Sequence, residues 1–274
     1  MHVLKNAAKR GLSAFGYEIH RTGKHPHGLL GNFANLSQAY EQRLNELDGN
    51  SLIAPSEIRP MLLARLLGTP PSEAYFIVHG LAKTSDVEGD VCEFGVAQGE
   101  TSALIANEIG STSTKGLHLF DSFEGLPRPS DKDRLKDDIF SLGSMEAYAG
   151  KMACPEDMVR ARLEAISFAR ERYVIHKGFF EQLIRVDERL PRKVSFAYVD
   201  FDFYEPTKLV LHFLHEVTSI GAMIIVDDYD YFSTGVKTAV DEFIEESGAT
   251  TEPLYELLLP NSRYGRFAVL TRKG

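Results

Sequence analysis

The sequence predicts a doubly wound α/β domain built on a mostly parallel, seven-stranded sheet. Five short apolar runs between Val91 and Val226 each lead into a stretch with helical spacing of its apolar residues. Strands that are covered by helices on both faces read this way. Two further apolar runs near the C-terminus flank a loop of turn-forming residues, which adds an antiparallel end. The 274 residues, 43% hydrophobic and 25% charged, suit one such domain with elaborations and a large core.

Residues 1–88 read as an N-terminal helical cap on an α/β domain at residues 89–274. Met1 to Leu12 sets Lys5, Lys9 and Arg10 beside Val3, Leu4, Ala7, Ala8 and Leu12. Such a segment forms either a helix lying on a membrane surface or a helix packed on the domain or a second subunit; the second reading is preferred. Ser56 stands as a cap before Ile58, Met61, Leu62 and Leu66, and Pro70 and Pro71 break the chain ahead of a second helix from Ala74 to Leu81. The strands follow as Val91 to Val96, Gly116 to Asp121, Tyr173 to His176, Val194 to Val199 and Ala222 to Val226. Leu254 to Leu259 and Phe267 to Thr271 form the hairpin. Thr101 to Ile109 is the helix after the first strand. A polar insertion at 127–172, with one helix expected from Pro155 to Phe168, has the length of a lid or substrate loop. Its Lys132, Arg134 and Lys136 alternate with acids and read as a solvated loop.

Charge and cysteine content narrow the classes. With 30 Lys and Arg against 39 Asp and Glu, the net charge is −9, so a nucleic-acid partner is not expected. Cys92 and Cys154 make no disulfide framework, and Cys92 in an apolar run reads as a buried thiol in a reducing compartment. No stretch approaches the roughly 18 apolar residues of a membrane span, and the first residues lack the apolar core of a secretory signal. The expected location is the cytoplasm.

In doubly wound sheets ligands sit at the carboxyl ends of the strands, so those ends hold the candidate residues. Glu93-Phe-Gly-Val-Ala-Gln-Gly-Glu-Thr-Ser leaves the first strand. Gly95 and Gly99 let the backbone turn sharply and bring a ligand to the next helix N-terminus. A tight strand-to-helix turn alone also demands this pattern. Asp121 ends the second strand, ~20 residues past the glycine turn, where a carboxylate accepts both ribose hydroxyls. Turn and acid together point to an adenosine-containing ligand and exclude neither NAD nor S-adenosylmethionine. Asp200 and Asp202 end the fourth strand, and Asp227 and Asp228 the fifth. Either pair alone reads as solvated loop acids, caps for the following helices or one raised pKa; together on neighbouring strands they converge and repel, which favours a hard divalent cation such as Mg²⁺. His212 and His215 read as packing on a core helix. His118 and His176 read as buried, hydrogen-bonded strand residues, with His176 close enough to the end of its strand to approach a cofactor edge.

Glu93-Phe-Gly-Val with Gly99, Phe120-Asp-Ser-Phe-Glu-Gly-Leu-Pro, Asp200-x-Asp202-x-Tyr204-Glu205-x-Thr207, and Val226-Asp-Asp-Tyr with Ala239-Val-Asp-Glu-Phe downstream form an ordered set. Over residues 89–246 the chain thereby resembles the macrocin O-methyltransferase family of class I S-adenosylmethionine-dependent enzymes. The resemblance implies a Rossmann-like methyltransferase fold and methyl transfer to a hydroxyl of a sugar, in a secondary-metabolite glycoside or a surface-glycan precursor. It implies that Asp202, Asp227 and Asp228 bind Mg²⁺, with Asp202 also the base, and that Glu93, Gly95, Thr101, Ser102, Asp121 and Ser122 line the cofactor. Gly99 in the turn and Gly178 at the end of the third strand are assigned to the same site. The partners expected are a small-molecule or glycan acceptor and further copies of the chain in a homo-oligomer. An aromatic diol as acceptor, or a nucleotide-sugar glycosyltransferase using Asp200-x-Asp202, stand as alternatives.

Overall fold

The computed structural model describes residues 53, 54, 56–248, 253–260 and 265–274. The basic segment at residues 1–12 and residues 261–264 of the loop between the last two strands lie outside them. The described chain opens with α1 (Arg59–Arg65) and α2 (Pro71–Lys83). Ser56 Oγ accepts the Arg59 N–H at 3.2 Å, but the helix starts later than a Ser56 cap implies: its N-cap is Ile58, without a side-chain cap bond. Pro71 starts α2 rather than merely interrupting the chain, because the first helical position needs no N–H donor. The order then runs β1 (Asp90–Phe94), α3 (Glu100–Thr112), β2 (Leu117–Asp121), α4 (Glu156–Ala165) in the insertion, and β3 (Tyr173–Lys177). After these come α5 (Phe180–Val186), β4 (Val194–Val199), α6 (Tyr204–Val217), β5 (Thr218–Val226), α7 (Gly235–Ser247), β6 (Tyr255–Leu258) and β7 (Ala268–Arg272).

One seven-stranded sheet has the order β3-β2-β1-β4-β5-β7-β6. Only β7 runs against its neighbours. The apolar runs are continuous because both faces are covered: Ile77, Ile105, Val159 and Leu163 pack on one face, and Phe180, Leu211, Leu214 and Val240 on the other. The helical cap shares this packing. Leu62, Ala74 and Val78 join Ala103 and Leu104 of α3, and Arg59 grips the Glu108 carboxylate through two nitrogens at 2.8 and 2.6 Å. Among the described residues no helix is long and apolar enough to cross a membrane.

The insertion is docked in both halves. Leu126, Leu135, Met145 and Tyr148 form a small core with Phe203 and Phe232. Lys132, Arg134 and Lys136 are exposed, as expected of a solvated loop, and two of them also reach distant acids: Lys132 Nζ donates to Glu242 at 2.6 Å and to Tyr204 at 2.8 Å, and Lys136 pairs with Asp230. The long sequence separation of these partners hid them from a local reading. His118 and His176 are buried and hydrogen-bonded, as expected, and His176 does not reach a cofactor edge. It lies flat on Phe120 (ring centroids 4.2 Å apart) and is bonded to His118 at 2.9 Å and Asp187 at 2.8 Å, deep in the sheet's packing.

Candidate active site

Register sets the site. Phe94 is level with Phe120 on one side and Val199 on the other, and Val199 is level with Val226. The residues that follow these four therefore leave the sheet along one edge: Gly95, Asp121, Asp200 and Asp227. They open into a cavity of about 1700 Å³ whose lining includes Gly95, Asp121, Ser122, Gly178, Asp200, Asp202, Asp227 and Asp228. Pocket volumes for single ligands run to about 1000 Å³, so a cofactor and an acceptor fit side by side.

Gly95 has φ +85°, and a Cβ there would overlap the Asp200 carbonyl oxygen. Only glycine lets the β1 and β4 loops pass so closely. Asp121, expected to face ribose hydroxyls, turns its carboxylate back to the chain. Its Oδ2 accepts Val96 N–H (2.8 Å) and Ala97 N–H (2.9 Å), and its Oδ1 accepts Phe123 N–H (2.6 Å). The acid thus ties the first loop to the second while still lining the cavity.

The expected cofactor residues divide. Gly95, Asp121, Ser122 and Gly178 line the cavity, whereas Glu93, Gly99, Thr101 and Ser102 do not. Gly99 lies against Val159 of α4, so its missing side chain makes room for the insertion helix. Glu93 and Ser102 are fully buried. Burial pushes the Glu93 carboxyl up to about 8, against the opposing influence of Ser102 and with the charges of Asp121 and Glu100 adding to the rise. Thr101 Oγ1 meets Thr69 Oγ1 at 2.9 Å, and Thr69 lies 3.4 Å from Tyr198 Oη.

The carboxylates at the ends of β4 and β5 converge, as their adjacency requires. An oxygen from each of Asp200, Asp202 and Asp228 lies within 4.8 Å of the other two. This trio differs from the expected Asp202, Asp227 and Asp228 in one member. Asp227 is turned aside because Tyr198 Oη donates to its Oδ2 at 2.8 Å and the Asp228 N–H to its Oδ1 at 2.7 Å. Burial raises Asp200, Asp202 and Asp228 well above the usual carboxylate range, and neighbouring acids push them further: Asp227 on Asp200, Asp200 on Asp202, Asp227 on Asp228. Asp202 and Asp228 both sit at positive φ, +60° and +57°, a region that Asp and Asn tolerate better than most residues.

Glu73, which the sequence reading missed, stands behind Asp227. It is fully buried on α2, and neither carboxyl oxygen finds a hydrogen-bond donor among the described residues. Burial, then the Asp227 charge, raises it well above the carboxylate range. A glutamate followed by Ala-Tyr-Phe-Ile-Val in an apolar helix was the available signal, since a buried acid needs a partner.

A family model described as macrocin-O-methyltransferase (TylF) matches residues 78–258, more than half of the chain. The chain belongs to the macrocin-O-methyltransferase family. It is accordingly an S-adenosylmethionine-dependent O-methyltransferase. Solved structures agree on the fold. The O-methyltransferase NovP superposes with a TM-score of 0.61 at 21% identity, covering 75% of this chain and 81% of its own. The calicheamicin methyltransferase CalS11 gives 0.60 at 22% identity over 93% and 95%. An O-methyltransferase from Bacillus cereus in complex with SAH gives 0.50 at 16% identity over 86% and 97%. A comparison with curated protein sequences finds no match.

Proposed function

We propose that this macrocin-O-methyltransferase family member methylates a hydroxyl of a sugar, in a secondary-metabolite glycoside or a surface-glycan precursor, and depends on Mg²⁺. The observation that carries the reading is the trio Asp200, Asp202 and Asp228 inside the cavity, beside the Gly95 turn. Three carboxylate oxygens within 4.8 Å of one another are a hard donor set that suits Mg²⁺. Asp200, Asp202 and Asp228 would hold the cation, with Asp227 directly behind them. Bound there, a divalent cation lowers the pKa of an alcohol and fixes its oxygen. Support for a sugar comes from CalS11, described as a TDP-rhamnose 3'-O-methyltransferase.

The chain's own part follows from its charges. A sugar hydroxyl is a weak nucleophile near neutral pH, and its proton must leave as the bond to the methyl forms. Asp202 lines the cavity and takes that proton. Gly95, Ser122 and Gly178 shape the side where S-adenosylmethionine supplies its methyl group. Charge is lost when an oxyanion meets a sulfonium, so a site that excludes water favours the step. Leu63, Leu66, Ile139, Phe140 and Met152 supply apolar walls for that exclusion.

The test pairs Asp202→Asn with acceptor profiling. The variant should lose about 10²–10⁴-fold in turnover yet bind S-adenosylhomocysteine as the parent does in calorimetry. Sugar hydroxyls should be methylated in preference to catechols, and EDTA should stop the reaction. Full activity of the variant, or full activity in EDTA, overturns the proposal.

A further inference from the structure

Asp133 is the exception in its surroundings. Asp131, Lys132 and Arg134 beside it are exposed, but Asp133 is only 6% exposed and its carboxylate points into the fold. Oδ2 accepts the Ser130 N–H and hydroxyl, both at 2.7 Å. Oδ1 accepts the Tyr204 N–H at 2.8 Å, at the first residue of α6 and two residues after Asp202. Ser233 Oγ lies 3.5 Å from the same oxygen and 3.0 Å from the Asp202 carbonyl, to which it donates, while accepting the Gly235 N–H at 3.0 Å. The space is tight: a Cβ on Gly235 would overlap Asp133 Oδ1. The chain leaving Asp202 is thus held at two successive points, the Asp202 carbonyl and the N–H of Tyr204.

We infer that Asp133, supplied by the insertion and acting with Ser233, is the positioning residue that aims Asp202 into the carboxylate trio. The insertion then serves as a fixed buttress of the active loop at this point, and not only as a cover for it. Asp accepts the left-handed φ of +60° more readily than most residues, but at a cost that contacts around the loop must offset. Asp133 and Ser233 are the side chains that supply them, beside the Phe203 N–H to Phe201 carbonyl bond that closes the turn at 2.6 Å: without them the loop relaxes and the trio loses one member. The inference rests on the reading of Asp202 as a cation ligand, and the experiment separates the two.

Mn²⁺ serves as the probe, followed by its electron paramagnetic resonance signal on the full chain saturated with S-adenosylhomocysteine. Partners that orient a ligand typically contribute 10–100-fold in metal affinity. Asp133→Asn and Ser233→Ala should therefore each weaken Mn²⁺ binding about 10-fold or more. Their affinity for S-adenosylhomocysteine should stay within about 3-fold of the parent, since neither residue faces the cofactor side. Ser233→Ala removes a single hydroxyl and covers the case in which Asp133→Asn fails to fold. Asp202→Asn is the reference and should bind Mn²⁺ no better than either. If the parent binds no Mn²⁺, the cation reading fails and takes the inference with it. If Asp202→Asn loses Mn²⁺ while Asp133→Asn and Ser233→Ala bind it as the parent does, the reading stands and the inference is overturned. A loss of Mn²⁺ matched by an equal loss of S-adenosylhomocysteine affinity and thermal stability marks general unfolding and also overturns it.

Discussion

Gly95 and Asp121 show how far a side chain's type predicts its task. Gly95 was legible as a turn glycine, and its φ of +85° and contact with the Asp200 carbonyl make the demand stricter. Gly95→Ala combines left-handed strain of about 1–2 kcal/mol with displacement of the Asp200 backbone. We expect a total loss of about 2–4 kcal/mol in urea denaturation, with a loss under 1 kcal/mol showing that the loops have slack. Asp121 was legible as an acid at the right strand end, but not that it faces three backbone amides. An amide at this position keeps one acceptor oxygen, so Asp121→Asn opposes an NH₂ group to a backbone N–H. One such mismatch costs about 1–3 kcal/mol. Asp121→Asn should bind S-adenosylhomocysteine at least about 5-fold more weakly by calorimetry while the fold survives. An unchanged Kd would mean that the carboxylate does not organise the loop.

At the scale of elements, β2, β3 and α5 are linked by buried polar groups. His118 and His176, on adjacent strands, share a hydrogen bond, and His176 reaches Asp187 beyond the end of α5. Asp90 lies 3.5 Å from the far nitrogen of His118, and Arg189 pairs with Asp187 at 2.7 Å. Burial lowers His176 from 6.5 to about 4, even though the Asp187 hydrogen bond works the other way. The Arg189 hydrogen bond foremost, and His176 next among the favourable contacts, hold Asp187 well below the usual carboxylate range. For His176 the unfolded chain takes up a proton near pH 6.5 and the native chain only near 4. Stability from this group is full above pH 6.5 and drains as the pH falls toward 4. At 1.36 kcal/mol per pKa unit, the loss between pH 7 and pH 5 is about 2 kcal/mol. Asp187, with a depressed native pKa, loses its contribution in the same direction, at lower pH. His176→Gln should be less stable than the parent at pH 7 and should lose about 2 kcal/mol less on going to pH 5. Parallel urea midpoints at the two pH values would remove His176 as the source of the slope.

For the molecule as a whole, the sheet was readable because burial on both faces leaves unbroken apolar runs, and the same runs placed Asp200, Asp202, Asp227 and Asp228 on neighbouring strand ends. What was not readable depends on contacts across long stretches of chain. Asp133 meets Tyr204 71 residues away, Thr69 approaches Tyr198 across 129, and Glu73 faces Asp227 from the helical cap. Local pattern cannot show which of several acids turns inward. The consequence is that a chain of net charge −9 crowds like carboxyl groups at one edge of its sheet, where burial and mutual repulsion raise their pKa values and cost the native state stability. Removing one charge relieves that repulsion, so Asp228→Asn in EDTA should melt at or above the parent's temperature, with asparagine also accepting the positive φ. Divalent cation reverses the order. At 100 times its Kd a ligand of the native state adds about 2.7 kcal/mol, which for a domain of this size raises Tm by about 5 °C. The parent should gain that increment in Mg²⁺ and Asp228→Asn should not, so the two melting temperatures cross between EDTA and saturating Mg²⁺. Equal increments in both proteins, or none in the parent, would mean that the carboxylates at the strand ends do not hold a cation.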